Sequence, residues 1–162
     1  GGGDWAADRL IPDFLKALDA RQTLTIRSPH AVRPWQHVLE PLAGYLTLAQ
    51  VLYEQGDSFA EAWNFGPEDG DARPVTWIVE TLCNEVHDAS WQCDESPQPH
   101  EAHILKLDSS KAKNKLGWRP RWNLQTALSK TLYWHKAWRE GKDMSAVSRV
   151  QIHQYEATLR NA

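Results

Sequence analysis

Arg33-Pro34-Trp35-Gln36-His37-Val38-Leu39-Glu40-Pro41, continued by Leu42-Ala43-Gly44-Tyr45-Leu46-Thr47-Leu48-Ala49-Gln50-Val51-Leu52-Tyr53-Glu54, is the stretch on which the fold turns. Residues 33–38 read as a short extended segment, and residues 40–54 as a strong helix stopped by Gly56-Asp57. The apolar residues of that helix (Leu42, Ala43, Tyr45, Leu46, Leu48, Ala49, Val51, Leu52, Tyr53) wrap most of its circumference. A helix apolar on nearly all sides expects cover on nearly all sides.

Working outward, Asp8 or Asp4 is a candidate cap for a helix through Leu10, Ile11, Phe14, Leu15 and Leu18, which have 3.6-type spacing. Leu24-Thr25-Ile26-Arg27 alternates as a strand and stops at Ser28-Pro29. Beyond the apolar helix, Ala62-Trp63-Asn64-Phe65 reads as a strand, and residues 75–87 as an amphipathic helix with Val75, Ile78, Val79, Leu82 and Val86 on one face. Ser90-Trp91-Gln92-Cys93 and residues 104–107 read as short extended pieces on either side of a Pro-rich loop. Residues 109–116 form a small helix after Asp108, with Gly117 as its stop. Asn123 caps a helix over 124–139, Gly141 halts it, and residues 145–159 are helical again. There is no internal repeat. The pattern is α/β, with many short strands and no βαβ succession long enough for a complete doubly wound sheet. It predicts a single partial domain over 1–162.

Composition narrows the function. With 162 residues, 41% hydrophobic and 24% charged, the chain has the make-up of one folded domain. A net charge of -3 and a pI near 6.2 argue against a nucleic-acid binder, which shows a basic surplus. No apolar run approaches the ~20 residues of a membrane helix, and the opening Gly1-Gly2-Gly3-Asp4-Trp5 is no secretory signal. Cys83 and Cys93, with only His87 between them, make neither a disulfide framework nor a zinc site; a reducing cytoplasm is the expected location. Nine tryptophans invite a carbohydrate-stacking reading, but core and joint packing is the default.

Three stretches taken together are more specific. They are Gly1-Gly2-Gly3-Asp4-Trp5 with Asp8-Arg9-Leu10-Ile11-Pro12-Asp13; Ile26-Arg27-Ser28-Pro29-His30 with Arg33-Pro34-Trp35-Gln36-His37-Val38-Leu39-Glu40-Pro41; and Pro99-His100-Glu101-Ala102 with Leu105-Lys106-Leu107-Asp108, Ser110-Lys111-Ala112 and Leu116-Gly117-Trp118-Arg119-Pro120. In this order and spacing the chain resembles the C-terminal half of the CDP-glucose 4,6-dehydratases, which belong to the extended short-chain dehydrogenase/reductase group. Ala62-Trp63-Asn64-Phe65-Gly66-Pro67 fits the same family. Relatives acting on other sugar nucleotides carry Arg-Asp-aromatic where this chain has Arg33-Pro34-Trp35, which favours the CDP-sugar branch.

The resemblance implies a substrate-binding subdomain plus the last helix and strand of an incomplete Rossmann sheet, with a CDP-sugar as ligand. Its diphosphate needs forked cations, which arginine supplies better than lysine. Arg9, at a helix start, matches the family's ligand-contacting arginine, and Arg33 the arginine that reaches the diphosphate in related enzymes; Arg27 stands where relatives have an aromatic residue and is a candidate for selecting cytosine. Leu10 and Ile11 would line the base and ribose pocket, and His100 and Glu101 match a loop that closes over the nucleotide. Beside these stand plainer readings. A lone surface arginine is usually solvated, and His100 and Glu101 divide evenly between loop capping and ligand contact. His37 is a satisfied structural histidine; Trp35, Trp63, Trp118 and Trp122 pack; and Trp134, His135, Lys136 and Trp138 lie at the surface or an interface.

The family's chemistry moves a hydride from the sugar's C4 to bound nicotinamide, eliminates water across C5 and C6, and returns the hydride to C6. Nothing here matches that machinery. No G-x-G-x-x-G follows a strand. Tyr45, Tyr53, Tyr133 and Tyr155 are followed four residues on by Ala49, Asp57, Ala137 and Leu159, never by lysine. The expectation is therefore no catalytic residue, no metal and no cofactor held by this chain alone, with NAD belonging to the full-length family. Residues 39–66 would pack on, or join, a sheet this chain lacks. The apolar helix would then drive self-association or pairing with a separate N-terminal Rossmann half. A start at the family's glycine turn, without an initiator methionine, favours a fragment.

Overall fold

The computed structural model describes residues 1–94, 96 and 102–158. Two compact units emerge: one comprises Gly3–Arg33 and Ala72–Leu105, the other Gly1–Gly2, Pro34–Asp71 and Lys106–Ala162.

The first unit is α/β. Its helix α1 (Leu10–Ala20) buries Pro12, Phe14 and Leu15, the apolar stripe its spacing predicts. Arg21 ends it in the left-handed conformation, φ 53°, its amide turned back to the carbonyls of Ala17 and Leu18. Strand β1 (Leu24–Ile26) buries Leu24 and Ile26 and exposes Thr25, a period of two. It pairs in parallel with the last strand of the unit, Trp91–Cys93, in the register Leu24↔Trp91, Thr25↔Gln92, Ile26↔Cys93. Strand β2 (Val32–Pro34) pairs with β3 (Ala72–Pro74), and Val32 also bridges to Ile104. Helix α3 (Val75–Glu85) buries Ile78, Val79 and Leu82, and its first amides reach the carbonyls of Ala31 and Pro29.

The second unit is helical. Helix α2 (Leu39–Gln55) is followed by α4 (Ser110–Lys115), α5 (Leu124–Arg139) and α6 (Met144–Ala157). Local chemistry explains most of the boundaries. Asn123 accepts from the Thr126 amide at the start of α5, and Asp143 accepts from Ser145 and Ala146 at the start of α6. Asp108 accepts from the Ser110 amide. Gly117 and Gly141 follow α4 and α5 with φ 64° and 69°. Phe65, Ala112 and Trp118 form a buried cluster with Leu48, Trp63 and Leu116 against it. A Cβ added to Gly44 would fall 2.3 Å from the Phe65 ring, so α2 lies flat on Phe65 only because it carries glycine there.

Several expectations are corrected. Residues 62–65 are not a strand: no described strand lies beside them. Instead Phe65 is buried in the cluster, the Asn64 amide donates to the Asp108 carbonyl, and Lys111 donates to the Ala62 carbonyl. The extended segment 33–38 shrinks to β2, and 104–107 to one bridge at Ile104. Neither Asp4 nor Asp8 caps α1; Arg9 occupies the N-cap with no side-chain bond. His135 is buried rather than superficial, and Trp134 is half-buried with its indole donating to Ser148, because α5 and α6 pack together. His37 is buried, but its Nε2 has no hydrogen-bond partner, so it is not fully satisfied.

The all-round apolar helix is real and bare on one side. Leu42, Tyr45, Leu46 and Tyr53 are all exposed, Leu46 by 73% and Tyr53 by 93%. Spacings of three, four and seven residues put them on one face of α2.

Candidate functional site

In the α/β unit the chain from Asp4 to Arg9 approaches α1 as a loop whose charged side chains are all engaged. Asp4 Oδ1 accepts the Ala6 amide at 3.0 Å, and Asp4 Oδ2 accepts Arg9 Nη1 at 3.0 Å. The Ala6 amide and the Arg9 guanidinium hold the Asp4 carboxyl below its ordinary value, against slight desolvation. Asp8 has φ 60°, the left-handed region, and its Oδ1 accepts Arg27 Nη2 at 2.9 Å from just beyond β1. Arg9 and Arg27 are thus both tied to one short acidic segment at the start of α1. Both guanidinium groups are open to solvent, 66% and 56% exposed.

Leu10 and Ile11, the first two residues of α1, are half-buried. Arg9 provides no side-chain cap. Since Pro12 has no amide hydrogen and the Asp13 amide bonds the Arg9 carbonyl, the first-turn donors of α1 are the amides of Leu10 and Ile11, with the dipole adding positive potential. Two arginines, a helix N-terminus without a side-chain cap and two half-buried aliphatic residues can hold an anion attached to an apolar body.

Arg33 is placed differently. Its Nη1 donates to the carbonyls of Val32 and Ala102, both at 2.9 Å, so it organises the backbone just after Glu101. His100 and Glu101 themselves lie outside the described residues. The structure therefore brings together Arg9, Leu10, Ile11 and, through Asp8, Arg27, and gives Arg33 a backbone-binding position.

Sequence reasoning missed the two carboxylates that engage these arginines. A signal existed for Asp4, five residues before Arg9, but none for Asp8, whose partner is 19 residues away. It also missed Glu40 in the helical unit, fully buried. Its carboxylate accepts the amides of Arg121 at 3.0 Å and Trp122 at 2.8 Å and the hydroxyl of Tyr155 at 2.6 Å. Burial and that bond to Glu40 push the Tyr155 hydroxyl well above the ordinary phenol range, which rules it out as a proton acceptor near neutrality.

Among the described residues, neither the glycine run nor the buried tyrosine is arranged to hold a nicotinamide cofactor. The Gly1-Gly2-Gly3 run is no phosphate cradle: a Cβ on Gly2 would fall 1.9 Å from the Trp134 ring, so that glycine serves packing. The one buried tyrosine is committed to Glu40. Among the described residues no group of His, Cys, Asp or Glu is placed to hold a metal, and no helix is long and apolar enough to cross a membrane.

No family model matches the chain. A curated protein does: CDP-glucose 4,6-dehydratase of Salmonella typhimurium, 54% identical over 164 aligned residues, covering 99% of this chain and 45% of the relative. The chain thus spans less than half the length of the relative it matches. Among solved structures it resembles dTDP-glucose 4,6-dehydratase of Bacillus anthracis, solved with NAD, with TM-score 0.64 and 18% identity over 88% of this chain and 43% of that one. It also resembles UDP-glucuronic acid 4-epimerase of Bacillus cereus in complex with UDP-glucuronic acid and NAD, with TM-score 0.66 and 20% identity over 80% and 40% of the two chains. These structural likenesses establish the fold alone, an α/β arrangement shared with 43% and 40% of those two chains.

Proposed function

We propose that the chain, whose match to CDP-glucose 4,6-dehydratase spans 99% of it and 45% of that relative, is the C-terminal, sugar-nucleotide-binding portion of such an enzyme and has no catalysis of its own. The reaction it serves converts CDP-glucose to CDP-4-keto-6-deoxyglucose and water. The observation that carries the reading is the start of α1, where Arg9 and Arg27 flank uncapped amides next to Leu10 and Ile11. In this reading the diphosphate lies against the two guanidinium groups and the first turn of α1. Leu10 and Ile11 line the base and ribose, and Arg27 contributes to choosing cytosine. Arg33 holds the backbone at Ala102 in place. Hydride transfer belongs to the remaining length of the enzyme, which supplies NAD and the catalytic tyrosine and lysine. Free Cys83 and Cys93 agree with a cytoplasmic setting.

Segment 39–66 packs on the Rossmann sheet of that N-terminal half, which covers the bare face of α2. This account expects the isolated chain to self-associate in sedimentation and to bind an apolar-surface dye, and Leu46→Glu to reduce both. A monodisperse, dye-silent monomer contradicts it. Mixing the chain with a polypeptide carrying the N-terminal half is expected to restore dehydration, read by mass spectrometry as loss of one water from CDP-glucose. A stable complex that binds CDP-glucose yet releases no water contradicts the assignment. The exposed α2 face also favours a second reading, an oligomerisation module built from the same fold; such a module would show no nucleotide affinity.

A further inference from the structure

Both arginines at the start of α1 already have an anionic partner, and both partners come from the same stretch of chain. Asp4 pairs with Arg9 at 3.0 Å and Asp8 with Arg27 at 2.9 Å. Local geometry makes the second pair unusual. An aspartate just before a helix ordinarily turns its carboxylate toward the first-turn amides. Asp8 instead adopts φ 60°, one of only two non-glycine residues with positive φ among the described residues. Its carboxylate reaches a guanidinium 19 positions away. The helix start is left without a side-chain cap, and the residue carries a backbone conformation that L-residues adopt at a cost.

We infer that Asp4 and Asp8 are built-in counter-ions that occupy Arg9 and Arg27 until a phosphate-bearing ligand displaces them, so that the segment from Asp4 to Arg9 is an acidic gate on anion binding. The inference rests on the sugar-nucleotide reading and adds to it a pair of residues that set affinity. Displacement is easy because exposed ion pairs are weakly held. A diphosphate offers each guanidinium several oxygens in forked geometry where the aspartate offers one. The carboxylates therefore discriminate by charge. A monoanionic or neutral sugar gains too little to displace them, whereas a nucleoside diphosphate does not. Release of Asp8 also frees the segment from its tie to the end of β1.

The test compares the wild-type chain with Asp4→Asn and Asp8→Asn by calorimetric titration, using inorganic pyrophosphate and CDP-glucose as probes. Asparagine keeps the side chain's size and tolerates the left-handed conformation. The expected result is about three- to tenfold tighter binding of both probes to Asp8→Asn at low salt, shrinking at high ionic strength. Asp4→Asn is expected to change in the same direction by less, since Asp4 also holds the Ala6 amide. In the Arg27→Gln background, Asp8→Asn is expected to have no further effect. Binding of CDP-glucose to the wild type with equal or weaker binding to Asp8→Asn overturns the gate and leaves the sugar-nucleotide reading intact. Absence of binding of both probes to all the proteins overturns both.

Discussion

Glu40→Ala is expected to destabilise the helical unit by roughly 3–5 kcal/mol, the cost of breaking a buried, charge-assisted network from one side. The carboxylate lies at the first turn of α2 and gathers three donors: the amides of Arg121 and Trp122 and the Tyr155 hydroxyl on α6. Removing it strands all three in the interior. The Trp118 indole, which donates to the Glu40 carbonyl at 3.2 Å, keeps its partner because that bond is to the backbone. Glu40→Gln retains the volume but turns an amide nitrogen toward a donor, and about half the loss is expected. Tyr155→Phe leaves two donors on the carboxylate and is expected to cost about 1–2 kcal/mol. Denaturant unfolding of the three variants measures the series. A loss below about 1 kcal/mol for Glu40→Ala would show that α2, the loop through Trp122 and α6 are held by apolar contact alone.

His37 supplies the second large effect, a dependence of stability on pH. Its ring is 2% exposed and meets Trp122 edge-to-face at 5.0 Å, while Nδ1 accepts the Leu39 amide. Burial, with Lys130 adding to it, pushes its pKa from 6.5 down to about 3. Between those values the unfolded chain binds a proton that the folded chain refuses, so stability rises with pH across that window. The contribution is fully present above about pH 6.5 and is lost as acid is added, by roughly 2 kcal/mol at pH 5 and more toward pH 3. His37→Phe is expected to abolish this slope whatever it does to stability at pH 7. Denaturation midpoints at pH 7 and pH 5 decide the matter: an identical loss in wild type and variant would rule His37 out.

What the sequence revealed and what it hid divide along physical lines. Features set within a few residues were legible. Asn123 capping α5, Gly117 and Gly141 stopping helices, and the alternation of β1 all depend on groups adjacent in the chain. The apolar wrap of α2 was also legible, and the structure leaves Leu42, Tyr45, Leu46 and Tyr53 of that helix exposed. Features that depend on distant partners were not. Residues 62–65 have the composition of a strand, yet a strand needs a neighbour, and Phe65 gains more by burial against Trp118, 5.1 Å away edge-to-face. Glu40 looks like one more helical charge until Arg121, Trp122 and Tyr155 arrive from 81, 82 and 115 positions downstream. At the candidate site the arginines could be named from the motif they resemble, whereas the carboxylates holding them could not. An aspartate before a helix reads as a cap, and only the backbone turn at Asp8 sends it elsewhere.

The most direct test of the central claim is a calorimetric titration of the 162-residue chain with CDP-glucose, with UDP-glucose and dTDP-glucose as controls. The sugar-nucleotide reading predicts saturable binding that prefers CDP-glucose and weakens roughly tenfold or more in Arg9→Ala, as expected for loss of a charged hydrogen bond to phosphate. No binding to any of the three, or equal binding to all of them that Arg9→Ala leaves unchanged, would contradict it.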